Sequence, residues 1–257
     1  MISAPDLTAV GSGALVGFTL GLIGGGGSIL ATPLLLYVVG VANPHVAIGT
    51  GALAVSANAY ANLIGHARKG HVWWRCAVVF ALVGTLGAAM GSSLGMLIDG
   101  KRLLFLFGLL MIVVALLMLR QRQDHVDKHR PIDLRMCVIT ALAAILTGAA
   151  SGFFGIGGGF LIVPALMLAT GMPMISAVGT SLLAVGTFGL ATALNYAQAN
   201  LIDWPVAIEF IAGGFVGGVL GMLLATRLSM RKNLLNRLFG VLVLLVAAYV
   251  IYRNQPL

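Results

Sequence analysis

The stretch GLIGGGGSILATP, from Gly21 to Pro33, places four consecutive glycines inside an otherwise apolar run. A second stretch, GFFGIGGGFLIVP from Gly152 to Pro164, repeats the pattern in the second half of the chain. Glycine is among the weakest helix formers and adopts backbone conformations that other residues avoid. Each stretch therefore predicts a helix break, at equivalent places in two related halves.

The composition indicates a membrane protein. Of the 257 residues, 60% are hydrophobic and 9% are charged, whereas a soluble domain has about 25% charged residues. Several apolar runs reach the roughly 17–25 residues with which a helix crosses a bilayer. The net charge of +8 comes from basic residues in short loops, which follows the positive-inside pattern and argues against a nucleic-acid-binding protein. The sequence therefore predicts an all-α, multi-pass integral membrane protein.

The repeat extends beyond the glycines. Shifting the sequence by 131 residues superimposes the Gly and Pro positions of the two stretches. After small slips, AIGT at 47–50 meets AVGT at 177–180, and Trp74 meets Trp204. The predicted units are a first transmembrane repeat at 1–119, a charged cytoplasmic linker at 120–135 and a second transmembrane repeat at 136–257.

Each half contains five apolar segments. The first two segments of each half are short, about 18–24 Å as helices against a hydrocarbon core of about 30 Å. They are predicted to be either tilted spans or half-helices that meet at the glycine break. The segments are 8–23, 29–42, 46–65, 76–98 and 103–119 in the first half, and 136–154, 160–171, 174–198, 205–226 and 234–252 in the second.

Lys and Arg residues predict the orientation. The N-terminus and loop 199–203 contain neither and are predicted to lie outside. Loop 99–102 is also predicted to lie outside, although it contains Lys101 and Arg102. Five segments per half then turn the second half upside down relative to the first, and such inverted repeats are typical of many secondary transporters. The loops predicted to be cytoplasmic are 66–75, 120–135 and 227–233.

The two glycine breaks predict a substrate site. Irregular backbone inside a membrane is tolerated only against protein or a water-filled cavity, and paired glycine-interrupted segments indicate binding sites in transporters. Helices beginning at Ser28 and Phe160 would direct their N-termini, which favour anions, at the breaks. Tight helix packing is the alternative use of these glycines. The candidate substrate-binding residues are Gly25, Gly26, Gly27, Ser28, Gly157, Gly158 and Gly159.

Polar side chains within the apolar segments are further candidates. The hydroxyls of Thr50, Thr180 and Ser181 could donate to an anion or bond back to their own helices. Asn58, which shares a helix face with Asn62, is predicted either to bond to a neighbouring helix or to line a cavity.

Glu209 is an acid inside an apolar run, and we consider it either a carrier of a coupling proton or an interfacial residue. The His and Cys residues show no metal-ligand spacing, and no nucleophile stands near a base. GGGGSILA also lacks the Lys of a phosphate-binding Walker loop. The sequence therefore predicts no metal, no cofactor and no enzymatic activity.

The paired GGGGSILATP and GIGGGFLIVP, each followed by AIGT or AVGTS, resemble the sulfite exporter TauE/SafE family of membrane transporters. The resemblance implies a plasma (inner) membrane permease for sulfur-containing or organic anions, such as sulfite, thiosulfate, sulfoacetate or related sulfonates. An anion channel and a non-transporting membrane assembly subunit are the alternatives. The resemblance leaves open the exact substrate, the direction of transport, a coupling ion such as H⁺ or Na⁺, and a homodimeric state. Ser28 stands where the second stretch has Gly159, so the half-sites differ.

Overall fold

The computed structural model describes residues 4–120, 134–155, 159–227 and 232–254, and these residues form helices and short turns without a β-strand. The helices are α1 (Ala4–Ile23), α2 (Ala31–Leu34), α3 (Pro44–Arg68), α4 (Trp74–Met96), α5 (Gly100–Arg120), α6 (Leu134–Phe154), α7 (Gly159–Thr170), α8 (Met174–Gln198), α9 (Trp204–Arg227) and α10 (Lys232–Arg253). A 3-10 turn, Gly24–Leu30, precedes α2, and a π-helical turn, Leu35–Val39, follows it.

The outer surface of the bundle is apolar, as a lipid-facing surface requires. Along α4 the exposed side chains recur every four residues as Val78, Leu82, Leu86, Met90 and Leu94, which places them on one outward stripe. Within the described residues, four apolar helical stretches are long enough to cross a membrane, namely Leu7–Val39, Trp74–Met96, Ile175–Gln198 and Trp204–Leu224. The prediction of an all-α membrane protein is confirmed.

The first of these stretches is not one straight helix. Gly24 ends α1 with φ of +76°, a left-handed conformation that favours glycine. The chain then turns back along α1, so that a side chain at Gly27 would overlap the backbone of Leu20. Gly155, the equivalent of Gly24 in the repeat, has φ of +65°. Both predicted breaks are therefore present.

The segments after the breaks begin differently from the predicted ones. The sequence predicted a helix from Ser28, but the 3-10 turn already begins at Gly24. A run of glycines can adopt this tighter turn because no side chains crowd it. In the second half α7 begins at Gly159, one residue before the predicted start.

Helices of the two halves pack crosswise: α1 on α9, α4 on α6, α3 on α8 and α5 on α10. Glycines allow the close approach, since Gly17 lies against the backbone of Gly214, and Gly148 lies against that of Gly84. In the repeat Gly17 corresponds to Gly148, and Gly84 corresponds to Gly214. The second contact is therefore the first one with the halves exchanged.

Helices α3 and α8 cross near the centre of the bundle and run in opposite directions. Where they cross, the Ser56 hydroxyl donates a hydrogen bond of 2.7 Å to the carbonyl of Gly186, its counterpart in the repeat. Gly49, near the start of α3, lies against Tyr196, near the end of α8. An inverted repeat would produce this antiparallel pairing of corresponding helices, while the inversion across a membrane remains a prediction.

The connecting turns collect at two opposite ends of the bundle. At one end, which we call the Asp99 end, Ile48, Leu103 and Tyr196 form one apolar cluster that includes Leu201. At the other end, the His71 end, the turn after α3 packs on the start of α8, with the His71 carbonyl against Gly179. Helix α3 runs from the Asp99 end to the His71 end.

Candidate functional site

The two glycine-rich stretches meet inside the bundle. A side-chain carbon at Gly25 would overlap the backbone of Gly159, and one at Gly159 would overlap Gly25. Val185 of α8 also lies against Gly25, and its neighbour Gly186 marks the crossing with α3. The breaks therefore touch at about mid-height of the bundle, where only glycine fits.

The residues around this contact in the first half are buried from Gly24 to Leu30, Gly26 among them. Gly24 packs on Val178 of α8, and Gly27 packs on Thr19 of α1. Ser28 is fully buried, and its hydroxyl donates a hydrogen bond of 2.8 Å to the carbonyl of Gly25. The structure thus brings the four predicted residues of the first break, Gly25, Gly26, Gly27 and Ser28, together beside Gly159.

The second break is only partly described. Gly159 is the first residue of α7, so the N-terminus of that helix lies at the contact. The predicted residues Gly157 and Gly158 lie outside the described residues. Ser181 lies between Val178 and Val185, which both face the first break, and its hydroxyl donates to the Val178 carbonyl at 2.8 Å.

Thr50 and Thr180 are held in equivalent roles at opposite ends. The Thr50 hydroxyl oxygen accepts a hydrogen bond of 2.9 Å from the backbone N–H of Asp203, and the Thr180 oxygen accepts one of 3.1 Å from the N–H of Trp73. Thr50 lies six residues from Ser56, and Thr180 lies six residues from Gly186, about 9 Å along each helix from the crossing. The structure therefore does not place these two residues at one common site.

The repeated AIGT and AVGT motifs have a structural explanation that sequence reasoning missed. Gly49 packs on the carbonyl of Leu201, and Gly179 packs on that of His71. The Thr that follows each of these glycines then accepts an N–H from the same turn. Each motif therefore packs on, and accepts a hydrogen bond from, the turn that links two helices of the opposite half.

Asn58 is fully buried on α3, against Gly214 of α9 rather than at the Gly25–Gly159 contact. Neither its amide nitrogen nor its amide oxygen has a partner among the described residues. Asn62 donates a hydrogen bond of 2.9 Å to the Asn58 backbone carbonyl. The predicted interhelical bond is thus not formed by the Asn58 side chain.

Glu209 lies in the second turn of α9, and its neighbour Phe210 packs against Gly13 of α1. The next contacts of α9 with α1, further along both helices, are Gly214 with Gly17 and Gly218 with Gly21. Gly218, which packs on Gly21, follows Glu209 by nine residues of α9, about 14 Å along the helix. Glu209 does not lie at the Gly25–Gly159 contact.

An open cleft of about 930 Å³ lies at the Asp99 end. Arg253 stacks over the ring of Tyr37 at 5.6 Å, and Asn254 donates a hydrogen bond of 2.6 Å to the Tyr37 hydroxyl. Asp99 accepts the backbone N–H of Lys101 at 3.1 Å. The sequence did not predict this cleft because three separate parts of the chain form it. Its polar lining residues include Tyr37, Asn43, His45, Asp99, Lys101, Arg253 and Asn254.

Several known proteins are similar to this chain over most of its length. A protein of Xylella fastidiosa named probable membrane transporter protein is 71% identical over 250 residues, which are 96% of this chain and 95% of that protein. The probable membrane transporter protein YunE of Bacillus subtilis is 25% identical over 94% of this chain and 96% of its own length. A probable membrane transporter protein of Methanocaldococcus jannaschii is 27% identical over 77% of this chain and 76% of its own. No solved structure matches the chain. Residues 9–250 match the sulfite exporter TauE/SafE family, and the chain belongs to that family.

Proposed function

We propose that this protein is a secondary transporter of the plasma membrane that moves small sulfur-containing or organic anions by alternating access. The family description and the relatives' names support transport and an anionic substrate. The observation that carries the proposal is the contact between Gly25 and Gly159, where the glycine breaks of the two halves meet inside the bundle.

Backbone groups are the natural partners of an anion at this contact. Helix α7 begins at Gly159, and the first N–H groups of a helix are free to bind an anion that the helix dipole favours. The described side chains that touch the first break, Thr19, Val178 and Val185, are uncharged. An anion held by N–H groups alone is bound less tightly than one held by Arg, and transport requires its release.

Binding requires the contact to open. No ion fits between Gly25 and Gly159 while their backbones touch, so the breaks must part to admit one. Because the helices of the two halves pack crosswise, we expect each half to open toward a different end of the bundle. At the Asp99 end Lys101 and Arg253 line the cleft, and their charges would raise the local concentration of anions.

The closed contact also favours a carrier over the two alternatives. A channel needs a path that is open at both ends at once, whereas a buried contact of backbone on backbone separates them. An assembly subunit has no need for a pair of buried glycine breaks that touch. The break residues are thus better explained by alternating access than by either alternative.

A binding test can establish the substrate class. Thermal unfolding of the detergent-solubilised protein is measured with sulfite, thiosulfate, sulfoacetate, sulfate and simple carboxylates. A ligand at 100 times its dissociation constant stabilises the folded protein by about 2.7 kcal/mol. We expect at least one sulfur oxyanion or sulfonate to raise the unfolding temperature more than sulfate does. If none of these anions changes the unfolding temperature, the proposal is wrong.

A further inference from the structure

Four buried side-chain atoms that have no hydrogen-bond partner among the described residues lie on one face of α3. Asn58, Asn62 and His66 are spaced by four residues, so they share a helix face, and they are 0%, 5% and 3% exposed. With His71 in the next turn they form what we call the α3 file. Both amide atoms of Asn58, both ring nitrogens of His66 and Nδ1 of His71 have no hydrogen-bond partner among the described residues.

The described residues that pack against the α3 file are mainly glycines, which have no side chain to form a hydrogen bond. Asn58 packs on Gly214 of α9, and Asn62 packs on Gly218 of α9 and on Gly21 of α1. The backbone of Gly21 also lies beside the His66 ring, but neither ring nitrogen completes a hydrogen bond with it. The Asn58 and Asn62 side chains occupy the room that side chains at Gly214 and Gly218 would need.

Such a row of polar groups is costly unless something else satisfies it. A buried donor or acceptor without a partner costs about 1–3 kcal/mol, and buried polar groups take their missing partners from water. Polar and ionisable side chains inside a membrane mark the pathways of ions and protons. The α3 file begins two residues after Ser56, near the centre, and leads to the His71 end.

The second half shows that packing does not require these side chains. Phe188 corresponds to Asn58 in the repeat, and it packs on Gly84 as Asn58 packs on Gly214. Tyr196 corresponds to His66, and its hydroxyl also lacks a partner among the described residues. A Tyr hydroxyl titrates near pH 10, whereas His is the side chain that titrates near neutral pH. Of these two equivalent positions, only that of His66 carries a side chain whose ordinary pKa lies near neutral pH.

We propose that transport by this chain is coupled to a proton, and that His66 holds this proton inside the bundle. The inference rests on the proposed transport function. The proton arrives from water at the His71 end, binds to a ring nitrogen of neutral His66, and leaves that nitrogen for water again. No bond in the transported anion changes.

The position of His66 explains how the proton and the anion are coupled. Gly21, which lies beside the His66 ring, is only three residues before the break at Gly24. A positive imidazolium there attracts an anion in the break, because opposite charges interact strongly where the dielectric constant is low. Coupling is reciprocal, so an anion in the break also favours protonation of His66.

Within the part of the chain that the structure describes, few other ionisable groups lie near His66. The His71 ring lies 5.9 Å away between ring centroids, and Lys69 carries a positive charge just after the end of α3. Helices α1 and α9 contribute glycines to this face. Glu209 is the ionisable residue of α9 whose side chain the structure describes, and it precedes Gly218 by nine residues.

The test uses proteoliposomes and the substitution His66→Gln, which keeps a polar side chain but cannot hold a proton. Labelled thiosulfate and sulfoacetate are the probes, because neither titrates near neutral pH. In the parent we expect an imposed pH gradient to drive accumulation. In the variant we expect accumulation to fall at least tenfold, while exchange of labelled for unlabelled anion continues. Tyr196→Phe is the matched control at the equivalent position and should behave like the parent.

Each outcome decides between explanations. If His66→Gln still accumulates anion in response to a pH gradient, or if Tyr196→Phe loses accumulation to the same extent, the proposal for His66 is wrong. Exchange in the parent without any response to a pH gradient would also overturn it, while leaving the transport proposal intact. Absence of exchange in the parent would instead overturn the proposed function together with this inference.

A second measurement keeps the inference testable if His66→Gln does not fold. The parent protein is labelled with ¹⁵N at histidine and titrated by NMR with and without thiosulfate, and single His→Gln variants at the other positions assign the signals. We expect thiosulfate to shift the protonation midpoint of His66 upward. An unchanged midpoint in the presence of bound thiosulfate would contradict the coupling.

Discussion

Gly25 and Gly159 touch through their backbones at the centre of the bundle, although they come from opposite halves of the chain. The contact joins the two places at which the helices are interrupted, and α7 begins there. A side chain on either residue would overlap the other backbone. The proposed mechanism is therefore most sensitive to substitutions at this contact.

Gly25→Ala tests this contact. The added methyl group overlaps the backbone of Gly159, and overpacking of this kind costs about 1–3 kcal/mol of stability. We expect the variant to be recovered in the membrane, to unfold at a lower temperature and to lose anion transport. Gly11→Ala is the control, because nothing lies within 4 Å of a side chain at Gly11. Normal transport by Gly25→Ala would show that the glycines serve packing alone.

Ser28 allows the charge of the site to be tested. The residue is fully buried beside Gly25, so Ser28→Asp introduces a carboxylate where the dielectric constant is low and like charges repel strongly. We expect anion affinity to fall by more than tenfold, measured by calorimetry on protein that is still folded. Ser28→Ala is the companion variant and removes only the bond to Gly25, worth about 0.5–1.5 kcal/mol of stability. If Ser28→Asp binds anions as well as the parent does, the binding site lies elsewhere.

Thr50 and Thr180 should contribute equally to stability, because they make equivalent bonds in the two halves. Thr50→Val and Thr180→Val each leave a backbone N–H of the opposite half without its acceptor, a loss of about 1–3 kcal/mol. Thr→Ser at the same positions keeps the oxygen and should cost less. Thermal unfolding of the four variants gives the comparison. A large effect at only one of the two positions would contradict their equivalence.

The sequence predicted the overall fold because the relevant signals are local. Apolar runs of membrane length located the helices, and the glycine runs located the breaks at Gly24 and Gly155, where φ is positive. The repeat offset also paired the two halves correctly enough to identify corresponding residues. The apolar and glycine runs depend on neighbouring residues, and the repeat depends only on a comparison of the chain with itself, so a single sequence displays both.

The arrangement of the site was harder to predict because it depends on contacts between distant segments. Thr50 and Thr180 were predicted to bind substrate together with the breaks, yet each accepts a hydrogen bond from a turn of the opposite half. Nothing in AIGT or AVGT indicates that the partners are Asp203 and Trp73. The unpartnered nitrogens of His66 were likewise hidden, since a His near a helix end is more often solvated than buried.

Cysteine labelling tests the inverted orientation. Lys69 and Ala199 are exposed equivalents in the repeat, and each precedes a turn with positive φ, at Gly70 and Asn200. The turns lie at opposite ends of α3 in the structure. With Cys76 and Cys137 replaced by Ser, we expect Lys69→Cys to react with an impermeant thiol reagent only from the cytoplasmic side and Ala199→Cys only from outside. Labelling of both from the same side would rule out the inversion.

Counterflow tests the transport proposal most directly. Purified protein is reconstituted into vesicles loaded with unlabelled thiosulfate or sulfoacetate, and labelled anion is added outside at low concentration with the membrane potential held at zero. A carrier that opens to one side at a time exchanges the two, so we expect labelled anion to rise transiently above its equilibrium level. Gly25→Ala vesicles should show no such rise. Uptake in the parent that never exceeds equilibrium, or that depends only on voltage, would contradict alternating access.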